Sequence, residues 1–166
     1  MIEMRVAGIA IDAVNRSPIV LLKDGQERRA LPIYINQDQA KAIIGALENQ
    51  KPPRPLTHDL ITNILEAWDM TLERIVINAI QDGTFYALLT VRQGEVKKEI
   101  DARPSDAIAI ALRTNSPIWV MEEVVADASI PVDRDADEAE QEAFREFLAN
   151  LRPEDLIKGG GFMGES

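Results

Sequence analysis

The sequence predicts an α+β domain made of duplicated β-β-β-α units with a largely antiparallel sheet. Short apolar segments, separated by turn signals such as Asp24-Gly25 and Asp82-Gly83, occur in two successive sets of three. A segment with apolar residues at helical spacing follows each set. Hairpins outnumber the long crossovers that parallel strands require, and this favours antiparallel pairing.

The first unit is predicted to contain three strands and a helix. These elements span residues 6–14, 19–22, 29–35 and 38–49. Pro32 cannot donate a hydrogen bond to a neighbouring strand, so we expect the third strand to lie at a sheet edge or to contain a bulge. The helix is indicated by the spacing of its apolar side chains, Ala40, Ile43, Ile44 and Leu47.

The second unit repeats this order of elements. Its strands and helix are predicted over residues 74–80, 85–92, 96–100 and 106–113. The helix is apolar all round, which is typical of a helix buried at the centre of a domain. A further short strand is predicted over residues 118–121.

A helix inserted between the two units is predicted to begin at Thr57. Its apolar residues share one face and are Leu60, Ile61, Ile64, Leu65 and Trp68. We therefore expect Trp68 to be a core residue rather than a surface on which a nucleic-acid base stacks.

The domain is predicted to cover residues 1–130, and an acidic amphipathic helix within residues 131–156 is predicted to dock on it. The apolar stripe of that helix consists of Ala139, Ala143, Phe144, Phe147, Leu148 and Leu151. Its acidic face either stays in solvent or covers the functional site as a mimic of phosphate, and the pattern leaves both open. Residues 157–166 are predicted to form a disordered tail.

The formal net charge of -10 is unevenly distributed along the chain. Residues 1–120 hold 14 Lys or Arg against 15 Asp or Glu, whereas residues 121–151 hold 2 against 10. Because the body is nearly neutral, duplex binding through many phosphate contacts is not expected without a metal ion. The chain lacks cysteine, and we find no signal peptide or membrane-length apolar run, so we expect a cytoplasmic protein.

Two short segments share a design that suits the binding of an anion. They are Arg54-Pro55-Leu56-Thr57-His58-Asp59 and Arg103-Pro104-Ser105-Asp106. In each, the hydroxyl residue is predicted to cap a helix, and the Asp lies in the first turn of that helix. A guanidinium, a carboxylate and free backbone N–H groups would then gather at a helix start. The predicted phosphate-binding residues are Arg54, Thr57, Arg103 and Ser105.

The one histidine, His58, falls in the first turn of its helix, where the helix dipole disfavours the imidazolium form. A neutral imidazole there would be able to activate water or bind a metal. With one histidine, a metal would be held mainly by carboxylates, which favours Mg²⁺ or Mn²⁺ over zinc. The predicted catalytic residues are His58, Asp59, Asp101 and Asp106, with Asp59, Asp101 and Asp106 as metal ligands.

The same residues also fit a purely structural role. Arg54 paired with Asp59, and Arg103 paired with Asp101 or Asp106, would be ordinary ties at the ends of elements. A single histidine is more often a capping or packing residue than a catalytic one. Spacing along the chain does not show whether the two segments meet in space.

These two segments also resemble the signature segments of the bifunctional nuclease family, formerly catalogued as a domain of unknown function. The resemblance is carried by residues 53–60 and 100–109, and it extends to residues 31–35, 85–87 and 117–118. It covers roughly residues 1–130. The resemblance implies a compact α+β domain, assembly into homo-oligomers such as dimers or trimers, and DNase and RNase activity.

Two functional hypotheses follow from the sequence. The first is a nuclease that cleaves phosphodiester bonds of DNA and RNA with little sequence specificity, assisted by Mg²⁺ or Mn²⁺. The second is a non-catalytic binding or regulatory module whose Arg-Pro sites hold an anion or a protein partner. The first is favoured by the family resemblance.

Overall fold

The computed structural model describes residues 1–132, which form an eight-stranded sheet and four helices. The strands are β1 (Ile2–Ile11), β2 (Pro18–Asp24), β3 (Arg29–Tyr34), β4 (Thr71–Gln81), β5 (Thr84–Gln93), β6 (Val96–Ala102), β7 (Ile118–Val120) and β8 (Ile130–Pro131). The helices are α1 (Gln37–Leu47), α2 (Thr57–Ala67), α3 (Pro104–Thr114) and α4 (Glu122–Ala128).

The sheet confirms the predicted α+β class and the duplicated units. The strand order is β6-β5-β4-β7-β1-β2-β3-β8, and β4 with β7 is the one parallel pair within residues 1–132. The antiparallel strands β1, β2 and β3 precede α1, and the antiparallel strands β4, β5 and β6 precede α3. Strand β7 lies between β4 and β1 and joins the two units into one sheet.

Helix α3 lies at the centre of the structure, as its apolar sequence predicts. Its residues from Ala107 to Ala111 are all buried, and Ile108 is inaccessible to solvent. The helix packs against α1 and α2 and against the strands β4 and β5. A helix with so many neighbours holds its first turn in a fixed position, and this turn carries part of the candidate site.

The third strand lies near an edge of the sheet, as Pro32 indicates. Pro32 is paired with Leu21 of β2, while on the other side β8 pairs only with Arg29 and Ala30. Since β8 does not reach Pro32, no strand of the described sheet needs a hydrogen bond from this position on that edge of β3.

The prediction that Trp68 is a core residue is wrong. Trp68 is 65% exposed, and helix α2 has no fully buried residue, because it packs on the body only through partly buried Ile61 and Leu65. The sequence analysis also placed the start of β1 four residues too late and did not predict α4 or β8.

The predicted helix within residues 131–156 and the predicted tail lie outside the described residues, apart from Pro131 and Val132. Within residues 1–132, no helix is long and apolar enough to cross a membrane.

Candidate functional site

The starts of two helices meet on one side of the sheet and bring the two Arg-Pro segments together. Helix α2 packs on α3, and His58 in the first turn of α2 contacts Asp106 in the first turn of α3. The distance between His58 Nε2 and Asp106 Oδ1 is 2.9 Å. The two segments are 48 residues apart in the chain, so sequence spacing alone did not predict this contact.

Arg103 completes a three-residue group, which we call the His58 cluster: His58, Asp106 and Arg103. The Nε atom of Arg103 donates a hydrogen bond of 2.8 Å to Asp106 Oδ2. The terminal nitrogens of Arg103 make no hydrogen bond within residues 1–132, and the side chain is 67% exposed. Arg103 therefore holds Asp106 with one nitrogen and presents the others to solvent.

The charge state of Asp106 follows from its partners. Burial raises the pKa of its carboxyl group, but the hydrogen bonds from His58 and Arg103 outweigh burial and lower the pKa below its ordinary value of 3.8. At neutral pH the carboxylate is ionised, and His58 Nε2 must then carry the hydrogen that is shared with Asp106. If the imidazole is neutral, its Nδ1 atom has a free lone pair.

Asp59 belongs to a second group of contacts at the same helix start. Its Oδ2 accepts a hydrogen bond of 3.0 Å from the backbone N–H of Leu56, and its Oδ1 accepts one of 2.9 Å from Arg113 Nε. Arg113 also donates to the carbonyl of Ala109 in its own helix at 2.9 Å. Asp59 thus ties the start of α2 to the end of α3, next to His58.

Arg113 is the residue that the sequence analysis missed. The expected partner of Asp59 was Arg54, but Arg54 is exposed and pairs with no side chain within residues 1–132. The available signal was weak, since Arg113 is simply a basic residue at the end of an apolar helix, where the dipole favours it.

The predicted helix caps are wrong. Helix α2 begins at Thr57 as predicted, but its N-cap is Leu56, so that Thr57 is the first residue of the helix and not its cap. In α3 the N-cap is Arg103, which places Pro104 at the first helical position and buries Ser105 in the turn. A side-chain cap is found instead at α1, where Asn36 accepts from the backbone N–H of Gln39.

Two open cavities flank His58. The larger, of about 970 Å³, lies between α1, the loop before α2 and the start of α2, and its charged lining residues are Asp38, Lys41, Lys51, Asp59 and Arg113. The smaller, of about 600 Å³, lies between α2, α3 and the strands β5 and β6. Its polar end contains Asp101, Arg103 and Asp106, whereas Ile61, Leu65, Leu89 and Ile100 form its apolar wall.

The other predicted site residues differ in whether they line the two cavities beside His58. Thr57 lines both cavities, and Asp101 lines the smaller one without making a side-chain hydrogen bond within residues 1–132. Arg54 and Ser105 line neither cavity. The structure therefore brings together His58, Asp106 and Arg103, with Asp59 and Thr57 beside them, and leaves out Ser105 and Arg54.

The assignment of Asp59, Asp101 and Asp106 as ligands of a metal ion stays a prediction. No group of three His, Cys, Asp or Glu side chains in residues 1–132 is arranged to hold a metal ion. Both oxygens of Asp59 and both oxygens of Asp106 already accept hydrogen bonds. These carboxylates act here as hydrogen-bond acceptors, so we derive no chemical step through a metal ion.

A model of the bifunctional nuclease domain matches residues 20–133, which is more than half of the chain. The chain therefore belongs to the bifunctional nuclease domain family, as the sequence analysis predicted.

Curated relatives support this assignment. An uncharacterized protein of Mycobacterium tuberculosis is 42% identical over 164 residues, which cover 93% of this chain and 97% of that protein. Bifunctional nuclease 1 of Oryza sativa subsp. indica is 24% identical over 131 residues, which cover 77% of this chain. Bifunctional nuclease 2 of Oryza sativa subsp. japonica is 29% identical over 105 residues, or 61% of this chain. The matched regions span 39% and 32% of these two rice proteins.

The hydrogen bonds of Asp59 lead to a prediction about the stability of the fold. Burial raises the pKa of Asp59, but the bonds from Leu56 and Arg113 outweigh burial, so that the folded-state pKa lies below the ordinary 3.8. A carboxylate with a lowered pKa stabilises the folded state above its unfolded pKa, and this contribution is lost as the pH falls through 3.8 towards the folded value. At pH 7, Asp59→Asn should lower the free energy of unfolding by about 1–2 kcal/mol.

The measurement is urea unfolding of Asp59→Asn and the unchanged protein between about pH 7 and pH 3. The stability difference should stay constant from pH 7 to about pH 4 and then shrink as the pH falls below 3.8, because the unchanged protein loses the contribution of ionised Asp59 there and the variant has none to lose. Asp82→Asn, in the exposed turn between β4 and β5, serves as the control and should follow the unchanged protein. A stability difference that stays constant over the whole pH range measured would contradict the assigned role of Asp59.

Proposed function

We propose that this protein is a nuclease that hydrolyses phosphodiester bonds of DNA and RNA with little sequence specificity, using the His58 cluster as its active site. The observation that carries the proposal is the 2.9 Å contact between His58 and Asp106, which joins the two signature segments at one point beside two open cavities. Membership of the nuclease domain family supports the reaction class.

In this proposal Asp106 orients His58. Its ionised carboxylate accepts the Nε2 hydrogen and leaves Nδ1 of the neutral imidazole as the general base. Water held at Nδ1 would lose a proton to the ring as its oxygen attacks phosphorus, and the protonated ring would be stabilised by the neighbouring carboxylate. The bond from phosphorus to the leaving oxygen then breaks, and the leaving oxygen takes a proton from solvent.

Arg103 is assigned to the phosphate. Arg103 shares the carboxylate of Asp106 with His58, and its terminal nitrogens can donate two hydrogen bonds to phosphate oxygens, whose negative charge grows as the nucleophile attacks. Lys41 and Lys51 line the larger cavity and supply positive charge for the flanking backbone, whereas Arg113 in the same lining is paired with Asp59. None of these contacts reads a base, so the proposed activity is independent of sequence.

The competing hypothesis is a binding module whose ion pairs only stabilise the fold. It is favoured by the saturation of Asp59 and Asp106, since every oxygen of these carboxylates is already bonded. The nuclease is favoured by Arg103, whose terminal nitrogens make no hydrogen bond within residues 1–132 and are therefore available to a phosphate.

The first test is the cleavage of labelled single-stranded and duplex DNA and RNA by His58→Ala and Asp106→Asn. We expect His58→Ala to lower kcat by about 100-fold or more, the usual contribution of a general base. Asp106→Asn should also lower kcat, because an amide neither orients nor stabilises the ring in the same way. The control is Asp82→Asn, which removes one exposed carboxylate far from His58 along the chain.

Asp101 makes no side-chain hydrogen bond within residues 1–132 and lines the smaller cavity, so it stays available to a divalent metal ion, and we expect a chelator to lower the activity. Each substrate is therefore assayed with Mg²⁺, with Mn²⁺ and with chelator, and circular dichroism verifies that each variant is folded. Activity that survives both substitutions in folded protein would show that the His58 cluster is not the site. The absence of activity in the unchanged protein under every condition would favour the binding module.

A second test isolates the role of Arg103. In a His58→Ala background, which prevents cleavage, Arg103→Ala should weaken binding of single-stranded DNA to a similar degree for all sequences. The slope of log affinity against log salt concentration should fall by about 0.7, the value for one lost phosphate contact. Arg28→Ala is the matched control, since Arg28 is exposed in the turn before β3 and distant in sequence from the cluster. An unchanged slope for Arg103→Ala would remove Arg103 from the site.

A further inference from the structure

The smaller cavity beside the His58 cluster has one charged end and one apolar wall. Asp101, Arg103 and Asp106 lie at the charged end. The apolar wall is contributed by α2, β5 and β6 and consists of Ile61, Leu65, Leu89 and Ile100. The volume of about 600 Å³ lies within the range of cavities that enclose small organic groups. The cavity therefore suits a ligand in which an anionic group lies next to an apolar one.

Part of the apolar wall is open to solvent within residues 1–132. Ile100 is 47% exposed on β6, which is the edge strand of the described sheet. Ile61 and Leu65 of α2 are only partly buried against the core. Apolar side chains that line an open cavity gain free energy when an apolar group covers them. The wall is thus a surface on which such a group would bind.

A nucleotide has the two chemical parts that the cavity matches. Its phosphate is anionic, and its base is a flat ring system with two apolar faces. The terminal nitrogens of Arg103 make no hydrogen bond within residues 1–132 and are available to the phosphate. Because Arg103 and the apolar wall line the same cavity, a base attached next to that phosphate would reach the wall.

The near-neutral charge of the body favours a contribution from bases to binding. Residues 1–120 hold 14 Lys or Arg against 15 Asp or Glu. Affinity that comes from phosphate contacts alone requires many basic side chains. A base that packs on a protein side chain adds affinity that does not depend on charge. Contact with a base would therefore compensate for the small number of phosphate contacts.

We propose that the smaller cavity binds one unpaired base and that the substrate is therefore single-stranded DNA and RNA. The inference rests on the proposed function, since it places the base beside the phosphate that the His58 cluster would cleave. In a duplex each base is paired and stacked, and it must be turned out of the helix before it can enter such a cavity. Contact with the face of a base tolerates any base, which agrees with little sequence specificity.

The first experiment measures binding in a His58→Ala background, which prevents cleavage under the proposed function. The probes are a labelled single strand of mixed sequence and a strand of the same length and backbone that lacks every base. We expect the complete strand to bind at least about tenfold more tightly, because the phosphates are the same and only the base contact differs. Equal affinities for the two strands, or no binding of the complete strand, would overturn the proposal.

A pair of variants in the same background locates the base. Ile100→Asn replaces a half-exposed apolar side chain of the wall by a polar one of similar size. Val96→Asn is the matched control, because Val96 lies on the same strand, is 58% exposed and does not line the cavity. Circular dichroism verifies that both variants are folded.

We expect Ile100→Asn to weaken binding of the complete strand by about three- to tenfold and to leave binding of the strand without bases unchanged. Val96→Asn should change neither affinity. An equal loss for both strands in Ile100→Asn, or the same loss in Val96→Asn, would overturn the assignment of the base to this cavity.

Cleavage by the unchanged protein separates this inference from the nuclease proposal. Single-stranded DNA and RNA should be cleaved at least about tenfold faster than the corresponding duplexes, because a paired base must first be turned out. Equal rates on single strands and duplexes would overturn the base site and leave the nuclease proposal intact. If no substrate is cleaved and the complete strand still binds more tightly than the strand without bases, the nuclease proposal fails and the base site stands.

Discussion

The hydrogen bond between His58 and Asp106 is the interaction on which the candidate site depends. It connects the first turns of two helices that lie on either side of a cavity, and it can form only because the buried helix α3 holds Asp106 in place. Arg103 binds the other oxygen of the same carboxylate, so a single side chain sets the positions of both the proposed base and the proposed phosphate-binding group. Loss of Asp106 would leave both without a fixed orientation.

The duplicated sheet supports this site but does not duplicate it. Both units end in a helix, yet the first unit begins α1 with the Asn36 capping box, while the second begins α3 with Arg103 and Pro104. The partner of α3 is α2, the helix inserted between the units, and its N-terminal turn supplies His58. The inserted helix thus contributes the histidine of the candidate site, which neither repeated unit contains.

Local sequence patterns predicted much of the fold. The strands and the central helix follow from apolar spacing and turn residues, which report backbone geometry over a few positions. The contact between His58 and Asp106 and the contact between Asp59 and Arg113 could not be predicted, since each joins residues about 50 positions apart. Trp68 was misplaced because the apolar face of α2 is wider than the strip that the body covers, and periodicity does not show which part stays exposed.

The caps at Thr57 and Ser105 were misplaced for a related reason. Proline at the first helical position needs no capped N–H, so α3 starts at Pro104 and takes Ser105 into the helix. The N-cap lies one residue before the predicted one in α2 and two residues before it in α3, and sequence signals locate helix ends no more accurately than that.

The most direct test of the His58 cluster uses the fact that the chain has one histidine. Correlation spectra of the imidazole nitrogens therefore contain a single spin system, which reports the tautomer and the hydrogen bond to Asp106. We expect a ring that carries a hydrogen on Nε2, with signals that move when a nuclease-resistant phosphorothioate oligonucleotide is added and that also change in Asp106→Asn. If the signals change neither on addition of the oligonucleotide nor in Asp106→Asn, His58 is neither held by Asp106 nor part of a nucleic-acid site.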